Sequence, residues 1–346
     1  MTRYSLPLSL IFGLILPVVS HAVPEDSHSA LIGSDVLPYL EAHAKKGEMI
    51  ARDGTKLRYL SLVGLDTANS TPPTLVILGG RNENFEKYAE LIFDLRELGW
   101  DLYTLDHRGQ GFSEHLVPEN PMIGHVNHYD DFVSDLDQFM EKVVNIRPHS
   151  RRVVLTHSMG GAIAALYLLK RPAAFDHAIW ISPMFEVLFP ALLSEKMAYR
   201  IASQVCDSDR VGCKSKALGG MFENWNTHYK LNQLTHSKAR FKRTMAVFDA
   251  NPGVYLGAPS YGWIRASIDA DREIRARAAE LQTPITLLQA DRDRVVRNRA
   301  QTAVCAQAKN CRLISVPDAR HEILMETDAI RDGALGEIRS VLVQGK

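Results

Sequence analysis

Residues 153–161 read VVLTHSMGG, an apolar run that closes on Ser158, with His157 before it and Met159, Gly160 and Gly161 after it. The spacing is one residue away from G-x-S-x-G, the motif that sets a serine on a sharp strand-to-helix turn. Thr156 stands where the first glycine belongs. The same letters also suit a plain helix N-cap, because a serine oxygen accepts from the first free N–H groups of a helix. What surrounds the stretch decides between the two.

Strands and helices alternate on both sides of it. SDVLPYLEAHAKKG reads as a short helix, followed by two strands, GEMIAR and KLRYLSLVGL, joined through Asp53-Gly54, a dipeptide that favours a tight hairpin turn. TLVILGG (74–80) is a continuous apolar run of the kind found in buried parallel strands. NFEKYAELIFDLRELG spaces Phe85, Tyr88, Leu91, Ile92 and Leu95 as a helix does, and WDLYTLDH restores a strand. YDDFVSDLDQFMEKVV aligns Phe132, Leu136, Phe139 and Val143 on one helical face. After the serine, SMGGAIAALYLLKRP is a small-residue helix ended by Pro172, and HAIWISP is a strand. Roughly 100 residues without a buried-strand run follow, too long for a loop, so about 184–280 is expected to be a helical cap inserted over the sheet. ITLLQAD, NRAQTAVCAQAKN, CRLISVPDARH and DAIRDGALGEIRSVLVQ then complete the alternation. The expected class is α/β: a mostly parallel central sheet with helices on both faces and a cap insertion.

Open sheets of this kind carry their sites at the carboxyl ends of the strands. Three residue types needed for nucleophilic catalysis fall there in the chain order Ser, Asp, His: Ser158, an aspartate of QADRDRVV (Asp291 or Asp293), and His321 in DARH. A serine hydroxyl is a poor nucleophile until an imidazole takes its proton, and a carboxylate must hold that imidazole in one tautomer. The N–H of Met159, at a helix start, can face a developing oxyanion. GGRNEN sets Arg81 just past two glycines, where a second N–H can do the same. Threonine at 156 adds bulk where strand and helix pack closely, but Gly160 and Gly161 remain, and the coincidence with later strand ends favours the catalytic turn.

At these residues the chain resembles a known family, the α/β-hydrolases of the bacterial lysophospholipase and monoacylglycerol lipase type, above all the inner-membrane type of bacterial lysophospholipase. The matching stretches include GGRNENFEKYAELIFDLRELGWDLYTLDHRGQGFSEH, GHVNHYDDFVSDL, THSMGGAIAALYL, LTHSKARFKR, GAPSYGWIRASI, LLQADRDRVV and RHEILMETDAIRD, from about residue 75 to 335. The resemblance implies an α/β-hydrolase fold and a serine hydrolase with Ser158 as nucleophile, Asp293 as triad acid, His321 as base, and the N–H groups of Arg81 and Met159 as oxyanion hole. It tolerates alanine at the position of Thr156. Many members carry histidine where this chain has Gly79. The implied reaction releases fatty acid from lysophospholipids or monoacylglycerols through an acyl-enzyme, without metal or other cofactor, on a small amphiphilic lipid at a membrane or micelle surface. The same triad serves a serine aminopeptidase, which wants an acidic cluster in the cap, and the fold also serves binding proteins without catalysis.

Composition narrows the setting. Lys plus Arg equals Asp plus Glu at 40 each in 346 residues, so nothing marks a nucleic-acid partner. Residues 1–22 hold Arg3, the apolar run LPLSLIFGLILPVV and a small-x-small ending at Ala22, the pattern of a cleavable secretory signal peptide. Residues 23–346 would then be a periplasmic or secreted hydrolase domain; a retained N-terminal membrane anchor is the alternative. Cys206, Cys213, Cys305 and Cys311 allow three pairings, of which two local bridges are simplest. Four further stretches draw the eye. In DHRGQGFS, Asp106 and Arg108 are expected to pair locally, and His125 and His128 to cap a helix or face solvent. PMFEVLFPALL (183–193) reads equally as lid surface or as packing, and HSKARFKR as a solvated basic face or a phosphate-attracting patch.

Overall fold

A computed structural model describes residues 22–64, 71–190, 192–217 and 227–344. Apart from Ala22, the expected leader lies outside the described residues. The strands are β1 (Lys45–Ile50), β2 (Lys56–Leu62), β3 (Thr74–Leu78), β4 (Asp101–Leu105), β5 (Arg152–His157), β6 (His177–Ile181), β7 (Ile285–Ala290) and β8 (Cys311–Val316). They form one sheet in the order β1-β2-β4-β3-β5-β6-β7-β8. β2 is antiparallel to both β1 and β4, and every other pairing is parallel.

The α-helices are α1 (His28–Leu31), α2 (Leu37–His43), α3 (Ala89–Leu95), α4 (Tyr129–Phe139), α5 (Met159–Lys170), α6 (Glu195–Ser208), α7 (Arg210–Cys213), α8 (Lys238–Ala250), α9 (Tyr261–Arg277), α10 (Asn298–Gln307) and α11 (Asp328–Val343). Side chains alternate across a strand, so each central strand feeds two cores. Val76, Leu78 and Val154 pack with α4, α5 and α9 on one face. Leu75, Ile77, Val153 and Leu155 pack with α3 and α11 on the other. Burial on both faces is complete along β3, β4 and β7, which explains why their sequences show no polar alternation.

Between β6 and β7 the described chain is helical, α6 to α9. α9 serves two layers: Trp263 lines the cavity over Ser158, while Ile268 and Ile274 join the sheet core. Disulfides link Cys206 to Cys213 and Cys305 to Cys311, the two local bridges. The first closes the α6–α7 corner and the second ties α10 to β8. No described helix is long and apolar enough to cross a membrane.

Two expectations fail. Arg108 bonds Asp135 through two nitrogens, each at 2.6 Å, and Asp53 at 2.7 Å, not Asp106. Asp106 is instead buried, accepts from the N–H groups of Phe85 and Phe112, and is pushed by burial up to about 8. His125 is buried, not superficial, with Nδ1 2.8 Å from the hydroxyl of Ser260, the residue that caps α9. The eye for local pairing missed both because the partners lie on elements distant in sequence.

Candidate active site

β5 ends at His157, and Ser158 carries the chain into α5 with φ 49° and ψ −115°. A non-glycine residue reaches such a conformation only when its surroundings over-determine it. Here the Ser158 N–H donates to the Ile181 carbonyl, while the Ser158 carbonyl accepts from Gly161 and Met184. A Cβ on Gly160 would sit 2.2 Å from the Leu78 carbonyl oxygen, so this position needs glycine. Thr156 is fully buried between Leu78 and Trp180 in the sheet register. Its Oγ1 lies 3.4 Å from where a Gly161 Cβ would be, an ordinary contact; glycine is needed at 161 because of Pro183, whose Cβ would be only 2.6 Å away.

The three candidate side chains from separate strand ends meet. His321 Nε2 is 2.9 Å from Ser158 Oγ, and His321 Nδ1 is 2.7 Å from Asp293 Oδ2. Asp293 Oδ1 accepts from the N–H groups of Val295 and Val296 at 2.8 and 3.0 Å. Burial works against ionisation of Asp293, but His321 and these two N–H groups hold its carboxyl below the usual value. An ionised Asp293 fixes the proton on Nδ1 and leaves Nε2 to accept from the serine hydroxyl. Asp291 is exposed at the surface.

Among the described residues no acceptor takes the N–H of Met159 or of Arg81. The loop bearing Arg81 is shaped by Glu83, which the sequence reading passed over. Glu83 Oε2 accepts from the Gly80 N–H and the Tyr88 hydroxyl; Oε1 accepts from Lys87 and His157, each at 2.7 Å. Gln110 adds bonds to the carbonyls of Gly80 and Glu83. A Cβ on Gly79 would press on Glu83 and Tyr88 at 3.2 to 3.3 Å.

His157 faces an acceptor at each nitrogen, Glu83 Oε1 and the His321 carbonyl at 3.2 Å, an arrangement that suits the doubly protonated ring. Burial disfavours that cation, but Glu83 raises its pKa; burial likewise opposes the Glu83 anion, yet His157 and Lys87 hold Glu83 well below the carboxylate range. Lys87 also pairs with Glu322 at 2.6 Å, beside His321. A legible signal existed in the i,i+4 pair Glu83 and Lys87 and in the Glu322 that follows His321.

Ser158 opens into a cavity of about 180 Å³ whose walls include Met184, Val187, Met245, Phe248, Leu256 and Trp263. Of the stretch 183–193, Met184 and Val187 line this cavity, Phe185 packs on Trp180, and Leu192 is 94% exposed, so it serves both of the readings offered for it. Arg81 lines the cavity too: its Nη2 donates to the Gly257 carbonyl, and the guanidinium lies 5.4 Å from the centre of the Trp263 ring. Among the described residues its buried Nε finds no acceptor, and burial draws its pKa down to about 10.

Sheet order, strained serine turn and a linked Ser–His–Asp set at the strand ends define a serine hydrolase of the α/β-hydrolase class. A family model described as "Serine aminopeptidase, S33" matches residues 70–328. The chain is 36% identical over 275 residues to Lysophospholipase L2 of Escherichia coli (strain K12), covering 76% of this chain and 78% of that protein. It therefore belongs to this family of α/β-hydrolases. A probable lysophospholipase L2 of Haemophilus influenzae is 26% identical over 309 residues, covering 89% of this chain and 95% of that protein. Among solved structures, a soluble variant of monoglyceride lipase from Saccharomyces cerevisiae shares the fold with a TM-score of 0.66 at 18% identity, over 86% of this chain and 95% of that chain. A carboxyl esterase from Bacillus coagulans does so with a TM-score of 0.67 at 15% identity, over 87% and 99%.

Proposed function

We propose that the chain hydrolyses the acyl ester of a lysophospholipid, with Ser158 as nucleophile, His321 as base and Asp293 as its orienting acid. The observation that carries this is the linked triad opening on an apolar cavity in which the Arg81 guanidinium has, among the described residues, no carboxylate partner. As Ser158 Oγ attacks the ester carbonyl, its proton passes to His321 Nε2, and the N–H groups of Met159 and Arg81 receive the oxyanion. His321 returns the proton to the departing glycerol oxygen, leaving an acyl-serine. Water then repeats the sequence, with His321 taking its proton, and frees the fatty acid.

The names of the relatives offer lysophospholipids and monoacylglycerols as substrates. Arg81 favours the first, because a phosphate would supply the acceptor that Nε lacks. An aminopeptidase needs a free carboxylate for the substrate amine, whereas Glu83 and Glu322 in the described wall are both bonded to Lys87. The leader pattern and the two disulfides support an exported enzyme working at a membrane or micelle surface.

A fluorophosphonate probe should label the purified protein and leave Ser158→Ala unlabelled; equal labelling removes the enzyme reading. Fatty-acid release should be faster from a lysophosphatidylethanolamine than from the monoacylglycerol of the same chain. Arg81→Gln should cut the ratio of the two kcat/KM values about tenfold, the worth of one charge-assisted hydrogen bond. An unchanged ratio, or preference for aminoacyl-arylamides, overturns the assignment. Activity that stays with the membrane pellet would mean an anchor in place of export.

A further inference from the structure

The start of the described chain enters a buried ionic cluster. The Val23 N–H donates to Asp94 Oδ1 at 3.1 Å, and Val23 is only 3% exposed. Arg331 from α11 holds the other Asp94 oxygen at 2.6 Å, and its Nη1 lies 3.4 Å from Glu90 Oε1. Arg240 from α8, fully buried, donates to the Val23 carbonyl at 2.9 Å, to Asp328 at 2.8 Å and to Glu90 at 3.0 Å. His28 faces Glu90 at 3.1 Å, the Glu25 N–H donates to Asp328, and Arg339 donates to the Asp94 carbonyl. HSKARFKR is therefore not merely a solvated face, since its central arginine is wholly inside the protein.

Around the Val23 nitrogen, the carboxylates of Glu90, Asp94 and Asp328 face two guanidiniums, Arg240 and Arg331. His28 beside Glu90 and Arg339 on the Asp94 carbonyl join them, and among the described residues the Asp94 oxygen that faces Val23 takes only the Val23 N–H. Burial, with Glu90 beside it, holds the Asp94 carboxyl above its usual value despite Arg331, as expected of a carboxylate with too little compensation. The nitrogen that touches Asp94 belongs to the residue that follows the small-x-small ending at Ala22.

We propose that the Ala22–Val23 bond is the processing site and that its cleavage creates the α-ammonium of Val23 as a cationic partner for the Asp94 oxygen that its N–H already faces. The inference rests on the export reading above. A leader peptidase adds water across the bond: the water oxygen leaves with Ala22 as part of its carboxylate, and both water hydrogens end on the Val23 nitrogen, which becomes an ammonium. Cleavage acts on the extended chain before folding, since the folded protein buries Val23. The new cation sits one carbonyl away from Arg240, on the helix whose Thr244, Met245 and Phe248 wall the catalytic cavity. Leader removal thus completes the anchor of a cap helix, and the exported chain differs from its precursor in a charge, not only in length.

The test compares mature protein that starts at Val23 with protein that starts at Ala22, each released from a fusion by site-specific cleavage, with and without Asp94→Asn. The Val23-start protein should melt several degrees higher than the Ala22-start protein, and the gap should close in the Asp94→Asn background. A gap that is absent, or equal in both backgrounds, overturns the ammonium site. Should Asp94→Asn fail to fold, amine-selective acylation decides: the Val23 amine should react at least tenfold more slowly than the Ala22 amine in native protein and equally in denaturant. Equal native rates overturn it. Mass analysis of the exported protein separately tests processing: a first residue other than Val23 refutes the cleavage site while leaving the two in vitro comparisons to judge the pocket.

Discussion

Replacing Gly160 by alanine tests whether the serine turn is held by close packing against β3. The added Cβ would fall 2.2 Å from the Leu78 carbonyl oxygen and 2.7 Å from that of Gly79, where real contacts do not come below 3.0 Å. Both obstructing atoms belong to the main chain, so no rotamer change relieves them. Reaching 3.0 Å from 2.2 Å means opening the gap by about 0.8 Å, through movement of the first turn of α5 or of the loop at 79–81. The first carries the Met159 N–H and the second the Arg81 N–H, so either movement changes the distance between the two oxyanion donors. Misplacement by about 1 Å costs on the order of 100-fold in rate, and overpacking costs about 1–3 kcal/mol of stability. The variant should fold, melt a few degrees lower, and lose about 100-fold in kcat/KM and in fluorophosphonate labelling rate alike. Gly336→Ala in α11, where nothing lies within 4 Å of the new Cβ, controls for the backbone effect and should gain about 0.5–1 kcal/mol with unchanged activity. Activity of Gly160→Ala within threefold of wild type would refute the packing argument.

Asp293→Asn keeps the shape but lets His321 take the wrong tautomer, and should lower kcat about 10³–10⁴-fold with little change in KM, measured with a p-nitrophenyl ester. Glu83→Gln should reveal the buried His157–Glu83 pair through melting temperature against pH. His157 is raised above 6.5, so its share of the stabilisation is full below pH 6.5 and fades as pH rises through the folded-state value; Glu83 is depressed, so its share is full above pH 4.5 and fades as pH falls. The wild-type advantage should therefore peak between pH 4.5 and 6.5, and a flat difference would count against the pair. Reducing the Cys206–Cys213 and Cys305–Cys311 bridges, which span 7 and 6 residues, should cost about 2–3 kcal/mol each, seen as a lower melting temperature in a thiol reductant.

Much of the fold was legible because parallel strands buried on both faces have no polar alternation: TLVILGG, RRVVLTH and ITLLQAD could hardly be anything else. The ends of the last two, with that of CRLISVPDARH, located Ser158, His321 and an aspartate at 291 or 293 before any distance was known, and the resemblance chose Asp293. The setting of Thr156 could not be read from its own letter, since its burial between Leu78 and Trp180 depends on strands distant in sequence. Groups that act across the fold were silent. Glu83, Arg240 and Asp106 look like surface residues in their local sequence, and their burial depends on partners at 157, 90 and 112. Pattern reading detects what repeats along one element and is blind to a charge balanced by three.

That blindness matters most at Glu83. The catalytic groups arrive on three segments, 79–83 with the Arg81 N–H, 157–159 with the nucleophile and the Met159 N–H, and 321–322 with the base. Each motif fixes its own segment, but no motif fixes the distances between them. Those distances pass through one buried network: Glu83 grips the Gly80 N–H, His157 reaches from Glu83 to the His321 carbonyl, and Lys87 joins Glu83 to Glu322. A network of this kind, charged yet fully engaged, contributes rigidity more surely than net stability, because its desolvation cost offsets much of its Coulomb gain. Its loss should thus appear first as misalignment of the oxyanion hole with the base, while the sheet, held by apolar burial, stays folded.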